Sequence, residues 1–172
     1  MLAKRMEEAL NGQVKNELYS GYLYLAMSAY CASQGIPGAT HWFMAQAQEE
    51  SAHAMKLYDY IQQKGGKVVL LPIDAPPAEF GSLLEMYQVV LKHEEGVTAN
   101  FNDLMEIALE ERDHATRIFL EWFVSEQVEE EAQTRDIIDQ LKMAGDHSAS
   151  LMMIDKELGQ RPLPIQMPVI GQ

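Results

Sequence analysis

The stretch SEQVEEEAQT, residues 125–134, reads in isolation as a solvated acidic helix face. Its surroundings change that reading. Thr116, Leu120, Phe123, Gln127, Glu130, Thr134, Ile137 and Leu141 follow one another at steps of three and four, which is the spacing of one helix face. Gln127 and Glu130 therefore fall where this helix turns its core side chains inward. A carboxylate removed from water without a counter-charge costs several kcal/mol, so the stretch requires a compensating partner.

Three other segments repeat the anomaly. Leu10, Val14, Glu17, Gly21, Tyr24 and Ser28 form one stripe. Phe43, Ala47, Glu50, Ala54, Leu57 and Ile61 form another, with His53 one turn from Glu50. Leu83, Tyr87, Val90, Glu94, Val97, Phe101, Leu104 and Ala108 form a third, in which Glu94 is the charged member. Each polar intruder lies near mid-helix, so packing the helices side by side brings all of them to one level. No lysine or arginine shares these stripes to neutralise Glu17, Glu50, Glu94 and Glu130. Two divalent cations would balance the four carboxylates, and oxygen donors with one imidazole suit iron or manganese rather than a thiolate zinc site.

Punctuation outlines the helices. Gly35, Gly65, Gly66, Gly145 and Gly159 follow helical stretches, where glycine tolerates a left-handed ending. Lys64 and Lys142 fall in last turns, where cations suit the exposed carbonyls. The reading is five helices over about 5–34, 40–64, 83–110, 113–144 and 147–158. Leu83 to Ala144 lacks proline, but a single helix there would run about 90 Å. The stripe also changes register near Arg112 and Asp113, so two helices meet there. Residues 66–82, GKVVLLPIDAPPAEFGS, span up to roughly 56 Å, enough to pass from one end of the bundle to the other. The fold class is therefore all-α: a four-helix bundle, about 5–144, with one long crossover that makes its second and third helices parallel, then a short fifth helix. The chain is read as a single domain over residues 1–172, with a proline-rich tail, 159–172, lying on a neighbour or disordered. KVVLLPI in the crossover is expected to pair with its copy in a second subunit.

Composition excludes several classes. A net charge of −13 and 47% hydrophobic residues describe an acidic, foldable chain. Nucleic acid and anionic lipid both want a basic surface, so neither is an expected partner; cations are. The single cysteine, Cys31, reads as a small packing residue. No apolar run reaches membrane-spanning or signal-peptide length, and the expected location is the cytoplasm.

At Glu17 and Tyr24, QEESAH (Glu49, Glu50, His53), KHEEG (Glu94) and SEQVEE (Glu126, Gln127, Glu129, Glu130), the chain resembles the bacterial non-haem ferritins over nearly its whole length. Glutamates on two helices facing polar i, i+3 pairs on the other two is the arrangement of ferritin-like di-metal bundles. The resemblance implies a hollow 24-subunit shell that oxidises Fe(II) with O2 or H2O2 and stores ferric mineral. It implies two irons per chain: Glu17, Glu50 and His53 at the first, Glu50 bridging, and Glu94 and Glu130 at the second, with Gln127 bonding nearby oxygen or water. Glu49, Glu126 and Glu129, beside Glu130, match the family's third iron position. Tyr24 matches a tyrosine that serves as electron donor or hydrogen-bond partner.

Departures from neighbouring families sharpen the resemblance. Haem-binding bacterioferritins carry methionine after the bridging glutamate, where this chain has Ser51, so no haem is expected. QVEE replaces their second ExxH, and one cysteine cannot build the extra iron module of rubrerythrins. Mini-ferritins of the DNA-protecting type place their ligands between subunits, whereas four helices of one chain supply them here. Two alternatives remain: a diiron oxidase or peroxidase without storage, and a non-enzymatic acidic helical module. The family's three-fold channel falls at Glu110, Glu111, Asp113, His114, Arg117 and Glu121, where Arg117 and Leu120 replace acidic lining. Ala149, Met152, Met153 and Ile154 are expected to line an apolar four-fold pore. His41, His93 and His147 read as surface residues.

Overall fold

A computed structural model describes residues 2–164. It contains α1 (Lys4–Ser33), α2 (Pro37–Gln63), α3 (Leu83–Glu110), α4 (His114–Ala144) and α5 (Ser148–Leu158). Every boundary falls within three residues of the one read from the sequence.

The helix ends have local causes. After α1, Gly35 adopts φ 72° and the Ile36 amide donates to the Cys31 carbonyl at 3.0 Å; after α2, Gly65 takes φ 73°. Pro37 opens α2, where its missing N–H costs nothing. A capping box starts α3: the Glu85 amide donates to Ser82 Oγ at 3.3 Å, and the Ser82 amide to Glu85 Oε2 at 2.7 Å. The α3–α4 break lies at the expected place. Arg112 takes φ 55°, and Asp113 caps α4 by accepting from the Thr116 amide at 3.1 Å. Lys64 Nζ reaches the same Asp113 carboxylate at 3.0 Å, tying the end of α2 to the start of α4.

Helix directions follow from who shares a core. One apolar cluster joins Cys31 late in α1, Ala39 early in α2, Met86 early in α3 and Leu141 late in α4. The other joins Met6, Ile61, Ala108 and Leu120 from the opposite ends. So α1 and α2 are antiparallel, α3 and α4 are antiparallel, and α2 and α3 run the same way, as a long crossover demands. The stripes read from the sequence are the buried faces, apart from Leu83, which is half-buried.

The crossover forms no strand among the described residues. Within the chain, Asn11 of α1 holds it. Its Nδ2 donates to the Lys67 carbonyl at 3.0 Å, and its Oδ1 accepts from the Val69 amide at 2.7 Å. Val69, Leu70, Leu71 and Ile73 remain exposed.

The short α5 packs on α2 and α4. Ile154 and Leu158 are buried there, while Met152 and Met153 are exposed. Ile154 thus faces its own bundle, a correction to its reading as a pore residue. Gly38 allows the approach, since a Cβ there would fall 1.6 Å from the Asp155 carbonyl oxygen. Of the tail expected over 159–172, residues 165–172 lie outside the described residues. Arg161 lies on α2 of its own chain. Leu120 is wholly buried, so its reading as a channel-lining position is also corrected; burial on the apolar stripe takes it away from any lumen. Among the described residues, no helix is long and apolar enough to cross a membrane.

Candidate metal centre

The two apolar clusters leave a gap between them on every helix of the bundle. Glu17 fills it on α1, Glu50 and His53 on α2, Glu94 on α3, and Gln127 and Glu130 on α4; all are buried. Gly21, one turn beyond Glu17, lets α1 and α2 close at this level: a Cβ there would stand 3.2 Å from the Ala47 carbonyl oxygen.

Glu17, Glu50 and His53 each offer a ligand atom within 4.8 Å of the others. His53 Nδ1 lies 3.6 Å from Glu17 Oε2 and 3.7 Å from Glu50 Oε2. Gln13 Nε2 donates to Glu17 Oε1 at 2.6 Å, while Glu17 Oε2 is buried with no hydrogen-bond partner. Glu94 is held from both sides. Tyr24 OH donates to its Oε1, and Gln127 Nε2 donates to its Oε2 at 3.0 Å. Glu130 Oε2 accepts from Gln46 Nε2 at 2.8 Å.

The electrostatics are those of a layer short of positive charge. Burial pushes the Glu50 carboxyl well up; the neighbouring His53 ring opposes this, and Glu17 and Glu94 add to it. Burial also raises Glu94, against the Tyr24 and Gln127 bonds. It brings Glu130 to about 7, with Glu94 repelling its charged form. Burial would lower the His53 pKa, but the Glu17 and Glu50 carboxylates close to its Nδ1 outweigh it and hold the ring at about 10. Burial and Glu94 keep Tyr24 a neutral phenol well past its ordinary range. Protons here do the work that cations would do better, and the donor set, carboxylate oxygens with one imidazole and an orphaned Glu17 oxygen, fits iron.

A second group lies alongside. Glu49, His53 and Glu126 also bring ligand atoms within 4.8 Å of one another. Glu129, expected with them, is exposed on α4 and belongs to neither group.

Four features escaped the sequence reading. Gln13 and Gln46 are buried amides that hold Glu17 and Glu130; both lie off the stripes as read. Trp122 stands edge-on to the His53 ring at 5.3 Å, under Lys56 Nζ at 3.3 Å from the indole centroid. His93, read as a surface residue, is half-buried. Its Nε2 lies 2.8 Å from Ser20 Oγ, its ring abuts Tyr24 at 6.0 Å, and burial lowers its pKa. His147 is exposed, and half-buried His41 bonds the Arg161 carbonyl at 2.7 Å. Cys31 is buried against Met86 Sδ at 3.9 Å, and burial raises its thiol to about 11, as befits a packing residue.

Fold and layer together define a class: a four-helix bundle with an intrasubunit carboxylate–imidazole layer suited to cations. Residues 7–144 match the model of the ferritin-like domain, and the chain belongs to that family. It is 42% identical over 161 residues to the bacterial non-heme ferritin of Staphylococcus aureus MRSA252, covering 94% of this chain and 97% of that one. The Staphylococcus saprophyticus protein of the same name is 41% identical over 161 residues. Among solved structures, an open pore ferritin from the archaeon Archaeoglobus fulgidus superposes with a TM-score of 0.93 at 43% identity, over 94% of this chain and 100% of that one. A closed form engineered from the same archaeal ferritin gives 0.93 at 44% identity.

Proposed function

We propose that this chain stores iron and is a ferroxidase, oxidising Fe(II) at an intrasubunit pair of sites and passing Fe(III) to a mineral inside a shell of 24 copies in the cytoplasm. The observation that carries the reading is the buried group Glu17–Glu50–His53 within 4.8 Å, in the same layer as Glu94 and Glu130. The family and its non-heme relatives support iron storage.

Iron is the substrate. Glu17, Glu50 and His53 receive one ion, and Glu94 and Glu130 the other, with Glu50 between them. Because His53, Glu50, Glu94 and Glu130 favour their protonated forms in the metal-free layer, entry of Fe(II) displaces protons, and binding weakens as pH falls. Each of two Fe(II) ions gives one electron. With O2 and two protons the products are two Fe(III) and H2O2; with H2O2 and two protons they are two Fe(III) and two waters. Tyr24 holds the Glu94 carboxylate through its hydroxyl, and Gln127 holds it from the other side. Glu49 and Glu126 serve a third iron that leaves the centre, with Glu129, exposed one turn along α4, as its next carboxylate.

The test is aerobic Fe(II) oxidation by metal-free protein, followed optically beside a His53→Ala, Glu130→Ala double variant. Fast oxidation at two irons per chain, lost in the variant, is expected. Oxidation no faster than in buffer overturns the reading, and a metal-independent acidic module then accounts better for the chain.

A further inference from the structure

Glu49 is claimed twice. One of its carboxylate oxygens belongs to the group with His53 and Glu126, while its Oε2 accepts from Arg161 Nη2 at 2.7 Å. Arg161 comes from the segment beyond α5, 112 residues away in sequence. Its guanidinium lies 4.9 Å from the Trp42 ring centroid, and its carbonyl bonds His41 at 2.7 Å. The pair is largely shielded, with side-chain exposures of 15% for Arg161 and 28% for Glu49.

We propose that Arg161 is a resident counter-cation for this second group: its guanidinium occupies Glu49 when no metal ion is there and gives the carboxylate up when one arrives. Binding of a divalent cation at Glu49–His53–Glu126 and docking of the segment after α5 therefore oppose each other.

The physical case rests on the strength of each hold. Water reaches only part of the Glu49 carboxylate, 28% exposed, so a positive partner stabilises its charge. Arg161 supplies one through a single arm, since its Nη1 is buried without a hydrogen-bond partner. A guanidinium held at both ends of its fork would resist displacement; one held by Nη2 alone is the weaker competitor. A divalent ion brings twice the charge and binds Glu49 together with Glu126, beside the His53 ring that holds the first ion. Two cations on one half-buried carboxylate repel, so arrival of the ion releases the arginine. By reciprocity, the arginine loosens the ion by the same factor. This deepens the proposed function, on which it rests: an ion leaving the buried layer meets a site kept weak by its own arginine, and moves on.

The test uses Zn(II), which is redox-inert, and metal-free full-length protein in a Trp122→Phe background, so that Trp42 is the remaining indole. Equilibrium dialysis counts the ions, and Trp42 emission reports departure of the guanidinium from its ring. The forms compared are the background itself, Arg161→Gln, Arg161→Lys and Glu49→Gln. Arg161→Gln is expected to tighten the third ion about tenfold, with the first unchanged and the second, whose Glu130 also feels the Arg161 charge, affected less, and Arg161→Lys to stay near the background. The third equivalent is expected to shift Trp42 emission in the background protein but not in Arg161→Gln; Glu49→Gln is expected to lose both the ion and the shift. An Arg161→Gln protein that binds the third ion equally or more weakly overturns the proposal. So does emission that ignores the third equivalent in the background protein, or a background and Arg161→Gln pair that both stop at two ions. Failure to bind even the first two ions would instead overturn the ferroxidase reading.

Discussion

Leu120 and Glu130 face inward from the same stripe of α4, and both are almost fully shielded from solvent. Leu120 belongs to an apolar cluster with Leu10, Leu57, Phe101 and Phe123, where each area withdrawn from water adds to stability. Glu130 lies in the layer between that cluster and the one containing Tyr87 and Ile138. There the same withdrawal from water costs free energy until a cation arrives. Equal burial thus has opposite signs along one helix. The apolar ends hold the bundle together, and the layer between them is tolerated because they do.

The strongest way to break this comparison is to remove what each residue contributes, bulk from Leu120 and charge from Glu130, in metal-free protein. Leu120→Ala is expected to cost about 4 kcal/mol in chemical denaturation, through lost burial and the cavity left behind. Glu130→Gln is expected to cost little, because it removes a charge that the metal-free layer does not want. Equal losses would mean that the layer is structural in its own right.

A pH series sharpens the contrast. Glu130 titrates near 7 in the folded chain against an ordinary value of 4.5, so between these values the folded state holds a proton that the unfolded chain has shed. Its contribution is fully present below about pH 4.5 and is lost as pH rises through 7, by about 3 kcal/mol. Metal-free protein is expected to weaken across that window, and Glu130→Gln to lack this component of the slope. Identical slopes would show that Glu130 ionises freely.

The smallest effect concerns Gln46, whose Nε2 holds Glu130 while its Oε1 is buried and unpartnered. Gln46→Leu leaves the carboxylate without its orienting bond and is expected to weaken binding of the second ion by about tenfold, with the first ion unaffected in calorimetric titration. Loss of both ions together would show that Gln46 supports the whole layer.

The helices were legible because their causes are local. Step-of-three-and-four spacing exposed Glu94 and Glu130 as members of apolar stripes, and the slip of register near Arg112 revealed the turn where that residue takes φ 55°. Gln46 was not legible. It stands beside rather than on the Phe43–Ala47–Glu50 stripe, and a buried glutamine looks like a solvated one until its partner across the bundle is known. Arg161 was hidden for a stronger reason: its contact with Glu49 bridges two segments that no periodicity connects. His93 was misread because the α3 stripe assigned it to the outside, whereas Ser20 and Tyr24 on α1 enclose it.

The arrangement of the helices also sets an order in time. Glu17, Glu50 and His53 all belong to the α1–α2 hairpin, which closes through a tight turn; Glu94, Gln127 and Glu130 belong to α3–α4, on the far side of the crossover. Contacts between near neighbours in sequence form sooner than those that must close a long loop, and synthesis delivers the first hairpin before the second. Glu17, Glu50 and His53 therefore come together through contacts local to one hairpin, whereas Glu94, Gln127 and Glu130 join them only once the crossover has closed.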